Sequence, residues 1–194
     1  MHERAEAILN FWVDEIGPAG WYEPPKGLDE TIRARFAADW DEARRGAYDT
    51  WICTPRSCLA LIILLDQFPR NMFRGEAKAF ASDAKALAIA KRAIRDRRDQ
   101  AIPAPERQFF YLPLMHSENL PNQEKCVRQF LINFGPSNEN VTHARAHREV
   151  IRRFGRFPYR NDALARRSTS AERAFLDSGG YGAALRAVGT AISA

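Results

Sequence analysis

Several groups of residues have the types and spacing to do chemistry. Asp66 closes the most apolar stretch of the chain, and Arg70 and Asn71 follow it within five residues. A carboxylate in the last turn of an apolar helix faces the negative end of the helix dipole and needs a cation, which Arg70 can supply one turn on. Two readings follow: an ion pair that fixes the turn, or a pocket acid or base, since titratable groups in unusual surroundings mark sites. His116 and Glu118 stand two apart after a proline-interrupted apolar run. That spacing suits an acid–base pair or two metal ligands. The competing structural reading has Ser117 or Asn119 capping the next helix while His116 bonds a backbone carbonyl.

His143 and His147 have the i, i+4 spacing of a zinc-binding helix, but Ala144-Arg145-Ala146 lies between them and the general-base glutamate of the protease motif is missing. Both fall on the apolar face of their segment, so a packed pair is the better reading. Cys53 and Cys58 have no second cysteine pair to complete a zinc site. No metal and no cofactor are expected.

The net charge of +5 is unevenly placed. From Arg145 to Arg173, nine arginines stand against Glu149, Asp162 and Glu172, which leaves the rest of the chain near neutral. Arginine binds carboxylates and phosphates in fixed, bidentate geometry, so a ridge over Arg145–Arg167 is a candidate nucleic-acid contact. It lacks interleaved aromatics, and a solvated or ion-paired face explains it equally well. There is no glycine-rich phosphate loop and no Gly-x-Ser-x-Gly elbow.

These groups must be positioned by helices. The 194 residues are 45% hydrophobic, which suits one domain with a sizeable core over residues 3–178 and a more loosely packed tail over 179–194. The longest apolar run is Cys58–Leu65, far short of the roughly 20 residues that span a bilayer. No cationic-then-apolar leader opens the sequence, and three cysteines make no disulfide framework. A cytoplasmic protein with reduced thiols and no membrane contact is expected.

Apolar residues recur at helical spacing over residues 3–16, 28–45, 127–134 and 141–154, with Gly17-Pro18, Gly46 and Gly135-Pro136 as stops. Residues 20–27 read as a loop. Thr54 can cap a helix starting at Pro55, and Pro69 should end it. Ser82 can cap the next helix, and Thr169-Ser170-Ala171-Glu172 has the spacing of a capping box. No segment alternates as a strand does. The expectation is all-α, with antiparallel helices joined by short loops.

The sequence also echoes itself. Asp66-Gln67-Phe68-Pro69-Arg70-Asn71 and Gly155-Arg156-Phe157-Pro158-Tyr159-Arg160-Asn161 each follow a helix with Phe-Pro and then Arg-Asn. Together with Phe110-Tyr111-Leu112-Pro113-Leu114-Met115-His116-Ser117-Glu118, these blocks resemble the signatures of a mostly bacterial family, domain of unknown function family 924. The resemblance runs from about Ile8 to Leu176 and implies a helical fold similar to the tetratricopeptide-repeat superfamily, in superhelical arrangement. Tyr159 stands where the family motif often has histidine, and Ala165 where a glycine is usual.

Three functions remain open on the sequence. A binding module would use Asp66, Arg70, Asn71, His116, Glu118, Arg156, Arg160 and Asn161 to recognise a small anionic ligand or a peptide. A hydrolase- or lyase-type enzyme would use Asp66 or Glu118 as base, His116 as acid, and the arginines to stabilise negative charge. Nucleic-acid binding through the ridge asks most of the residues and is the least favoured.

Overall fold

The computed structural model describes residues 2–192, which fold into two compact units, one ending at Pro113 and the other beginning at Leu114. Among the described residues the regular elements are all helical.

The first unit is organised around the Pro55–Ile62 helix and its continuation. Thr54 accepts from the Ser57 N–H and Pro55 opens the helix, as the sequence predicts. From Cys58 to Leu65 no side chain is more than 2% exposed. Around it pack the Glu3–Leu9 and Leu28–Arg45 helices, the latter closed by Gly46 at φ +105°. Phe11, Phe36 and Phe68 meet with ring centroids 5.0 to 6.0 Å apart, and Trp12 sets its edge on Phe68 at 5.5 Å.

Pro69 does not end the central helix. Helical backbone widens to π spacing over Ile63–Gln67, where the Phe68 N–H bonds Ile63 O, and resumes as the Phe68–Met72 helix. Pro69 has no N–H to return to Leu65 O, and the Ser82 hydroxyl donates to that oxygen instead at 2.6 Å. The same hydroxyl accepts from the Trp40 indole at 2.9 Å. Ser82 therefore makes no side-chain cap for the Asp83–Arg95 helix that follows it.

A second difference lies near Gly17. Its φ of +66° does break the chain after Ile16, but Pro18 then starts another helix, Gly17–Tyr22, which runs three residues into the loop expected over residues 20–27. Tertiary packing holds it: the Trp21 indole donates to Trp12 O at 2.7 Å and meets Phe109 edge-on at 4.8 Å. Gly20 is required here, since a Cβ would lie 2.6 Å from Ile16 Cγ2.

In the second unit the Leu120–Phe134 helix, capped by Asn119, packs on the Glu139–Phe154 helix, capped by Asn138. Val150, Ile151, Phe157 and Phe175 form one core cluster, with Phe154, Leu176 and Ala184 against it. Thr169 and Glu172 complete the predicted capping box of the Ser170–Asp177 helix. The segment expected to be a loose tail instead forms the Gly180–Ile192 helix, laid on Glu139–Phe154; residues 193 and 194 lie outside the described residues.

Candidate functional site

In the first unit the predicted residues Asp66, Arg70 and Asn71 come together in one helical turn. Asp66 is fully buried, and Arg70 Nη1 stands 3.4 Å from its Oδ1. Arg70 also donates to Asp66 O, and its Nη2 reaches Asp83 at 3.0 Å. Gln67 donates to the Asp66 carboxylate. Asn71 turns back to Gln67 O at 3.2 Å and accepts from Arg74 at 3.3 Å. All of these bonds but Arg70–Asp83 are local, which matches the ion-pair reading of Asp66.

In the second unit the predicted residues Glu118, Arg160 and Asn161 gather around the turn at Phe157. The helix Glu139–Phe154 stops at Gly155, φ +71°, and Phe157-Pro158 lead into a 3₁₀ turn, Pro158–Arg160. The Arg160 guanidinium, on a residue 8% exposed, lies 4.5 Å over the Phe157 ring. Tyr159 stacks on the same ring at 5.3 Å, and His147 meets it edge-on at 5.4 Å. Tyr181, from the C-terminal helix, packs on His147 at 4.7 Å and hydrogen-bonds His143 Nδ1 at 2.6 Å.

His147 Nδ1 lies 2.9 Å from His143 O, which assigns the proton to Nδ1 and leaves Nε2 as a lone pair. Burial pushes the His147 imidazole down to about 3, and the charges of His116, Arg160 and His143 push the same way against the favourable carbonyl bond. Burial also lowers His143. His116 thus bears on His147 electrostatically.

Glu118 accepts from Arg166 through both oxygens, at 2.6 and 2.9 Å, and from the Phe157 N–H at 2.8 Å. Burial alone would raise its carboxyl, but these bonds and the charges of Arg166 and Arg160 more than offset that and hold it below the usual range. Asn161, fully buried, donates to Ser168 Oγ and accepts from Arg166 Nε, both at 3.0 Å. Arg156 is set apart from this group: it grips Glu172 at 2.6 and 2.8 Å and Arg167 O at 2.9 Å, and its hydrogen bonds hold the Glu172 carboxyl at about 2.

Four arginines of the ridge are ion-paired. Arg148, Arg152, Arg156 and Arg166 lie within 4.0 Å of Glu124, Glu149, Glu172 and Glu118 in turn. Sequence reasoning missed two members of the cluster. Tyr181 sits in the glycine- and alanine-rich stretch read as a tail. Arg166 reads in the sequence only as ridge, although its place one residue after the turn at Ala165 is what sends it back to Glu118. Ala165 itself has φ +52°, in the left-handed region where its family motif usually places glycine. Among the described residues no three His, Cys, Asp or Glu side chains are grouped to hold a metal. No helix there is long and apolar enough to cross a membrane.

Helices without strands, packed on buried aromatic clusters and closed by paired arginines, define an all-α protein. The chain belongs to the family described as bacterial protein of unknown function (DUF924), whose model matches residues 8–180. It is similar to a solved protein of unknown function from Agrobacterium tumefaciens, with 38% identity and a TM-score of 0.84 over 90% of this chain and 97% of that one. No curated protein matches it.

Proposed function

We propose that the second unit is a binding module for a small anionic ligand, or an acidic peptide side chain, received by Arg160 with His116 and His147 beside it. One observation carries this reading. The Arg160 guanidinium lies 4.5 Å over the Phe157 ring, on which Tyr159 and His147 also pack, so a cation and a phenol share one ring. Such a neighbourhood favours an incoming carboxylate or phosphate, whose oxygens would find guanidinium and phenol donors together. Tetratricopeptide-type helix pairs present concave surfaces, and three thiols outside any disulfide suit a cytoplasmic setting.

The enzyme reading with Glu118 as base has less support, because a carboxylate held by two arginine hydrogen bonds and a backbone N–H is a poor proton acceptor. The test is a melting series with inorganic phosphate, citrate and an acetylated acidic tetrapeptide, on the native chain and on Arg160→Gln and Tyr159→Phe. At least one probe should raise the native melting temperature by several degrees, with less than half that shift in Arg160→Gln. If no probe shifts the native chain, or both proteins respond alike, the reading is wrong.

A further inference from the structure

A separate cavity lies within the first unit, with a volume of about 170 Å³. Leu9, Leu59 and Ile102 form its floor, each no more than 4% exposed. Asp14, Arg56 and Glu106 also line it. Val13 and Asp14 reach the wall from the Asn10–Ile16 stretch, where the helix is widened to π spacing. Such widened turns cluster at functional positions.

The charges of this lining do not balance. Arg56 is committed to Glu6, with Nε and Nη2 on its two oxygens at 3.4 and 3.1 Å. Among the described residues neither Asp14 nor Glu106 has an ion-pair partner. Glu106 Oε2 is buried and has no hydrogen-bond partner at all. A buried carboxylate oxygen left unmatched is costly unless something else supplies a donor. An aliphatic floor excludes a hydrated metal ion, which would strand its water shell on carbon.

We propose that this cavity binds a small organic cation: a primary ammonium group on a short aliphatic chain. The ammonium would donate to Glu106 Oε2 with Asp14 nearby, and four or five carbons would cover Leu9, Leu59 and Ile102. The volume suits a ligand of that size.

The experiment is a methyl-detected NMR titration of the full chain with n-butylammonium chloride, with 1-butanol and sodium butyrate as isosteres. Saturable shifts should appear at Leu9, Val13, Leu59 and Ile102 with butylammonium alone. Glu106→Gln should weaken binding about tenfold, the loss of a charge-assisted hydrogen bond. Val13→Phe, at a partly exposed wall position, should abolish binding by filling the space, and it keeps the test intact if the Glu106 variant folds poorly. Absence of saturation, equal binding of 1-butanol, or binding that survives both variants overturns the proposal.

Discussion

Residues 66–71, Asp-Gln-Phe-Pro-Arg-Asn, and residues 155–161, Gly-Arg-Phe-Pro-Tyr-Arg-Asn, carry nearly the same string through different backbones. In the first, a buried apolar run through Leu65 leads into Asp66-Gln67 without a break, and the helix accommodates Pro69 by widening and continuing to Met72. In the second, Gly155 takes a left-handed conformation and the helix stops before Phe157-Pro158 is reached. The consequence falls on the polar residues. Arg70 and Asn71 bond back one turn along their own helix, to Asp66 and Gln67, and Arg70 also reaches Asp83. Asn161 instead joins Ser168 and Arg166, Arg160 covers Phe157, and Arg166 reaches Glu118. A Phe-Pro stop is therefore not a structural unit in itself. The residue two before the phenylalanine, helical Asp66 in one stretch and left-handed Gly155 in the other, marks whether the helix runs on through the proline or stops ahead of it.

The largest test of this contrast is Ser82→Ala. The first stretch stays helical through Pro69 with Ser82 bridging Leu65 O and the Trp40 indole, all three residues being buried. Removing the hydroxyl strips a partner from two buried polar groups, and should cost about 3 kcal/mol. Chemical denaturation of the purified variant measures it. A loss no larger than that of a surface serine would mean that Pro69 is accommodated by the π turn alone.

The second stretch is better tested by acid, since His147 packs on its Phe157. The folded imidazole titrates near 3, well below its ordinary 6.5, because burial disfavours the cation. The unfolded chain therefore binds more protons between those values. Stability is full above pH 6.5 and is lost as the pH falls toward 3. Between pH 7 and 5 the His147 share of that loss should be about 1–2 kcal/mol. His147→Gln should flatten the dependence in that window, where Glu118 and Glu172, both held low, stay ionised. An unchanged pH profile in His147→Gln would place the acid sensitivity elsewhere.

What could be read from the sequence was what is local. The caps at Thr54, Asn119 and Thr169 bond within three residues, and their side chains announce them. The stops at Gly46 and Gly135, and the Asp66–Arg70 pair one turn apart, are legible for the same reason. Ser82 was not, because its partners are 17 and 42 residues away and its position before a helix suggested the commoner role. Tyr181 lies 38 residues from His143, in a stretch whose glycines and alanines have low intrinsic contrast; only the packed face of Glu139–Phe154 makes that stretch a helix. The site in the second unit was half visible: His116, Glu118, Arg160 and Asn161 were named, while the arginine that binds Glu118 and the phenol that binds His143 depended on tertiary return of the chain.

The smallest expected effect concerns that return. Leu164 N–H bonds Arg160 O, Ala165 follows at φ +52°, and Arg166 N–H then bonds Asn161 O at 2.8 Å. The left-handed residue reverses the backbone so that the Arg166 guanidinium points back at Glu118. An L-residue there pays steric strain of about 1–2 kcal/mol, whereas glycine adopts the conformation freely but loses more freedom on folding. The two terms oppose, and Ala165→Gly should stabilise by about 0.5–1 kcal/mol, raising the denaturant midpoint with an unchanged slope. Destabilisation would mean that the alanine methyl makes packing worth more than the strain. Either way the Glu118–Arg166 pair should persist, because the turn, and not the side chain at 165, sets its direction.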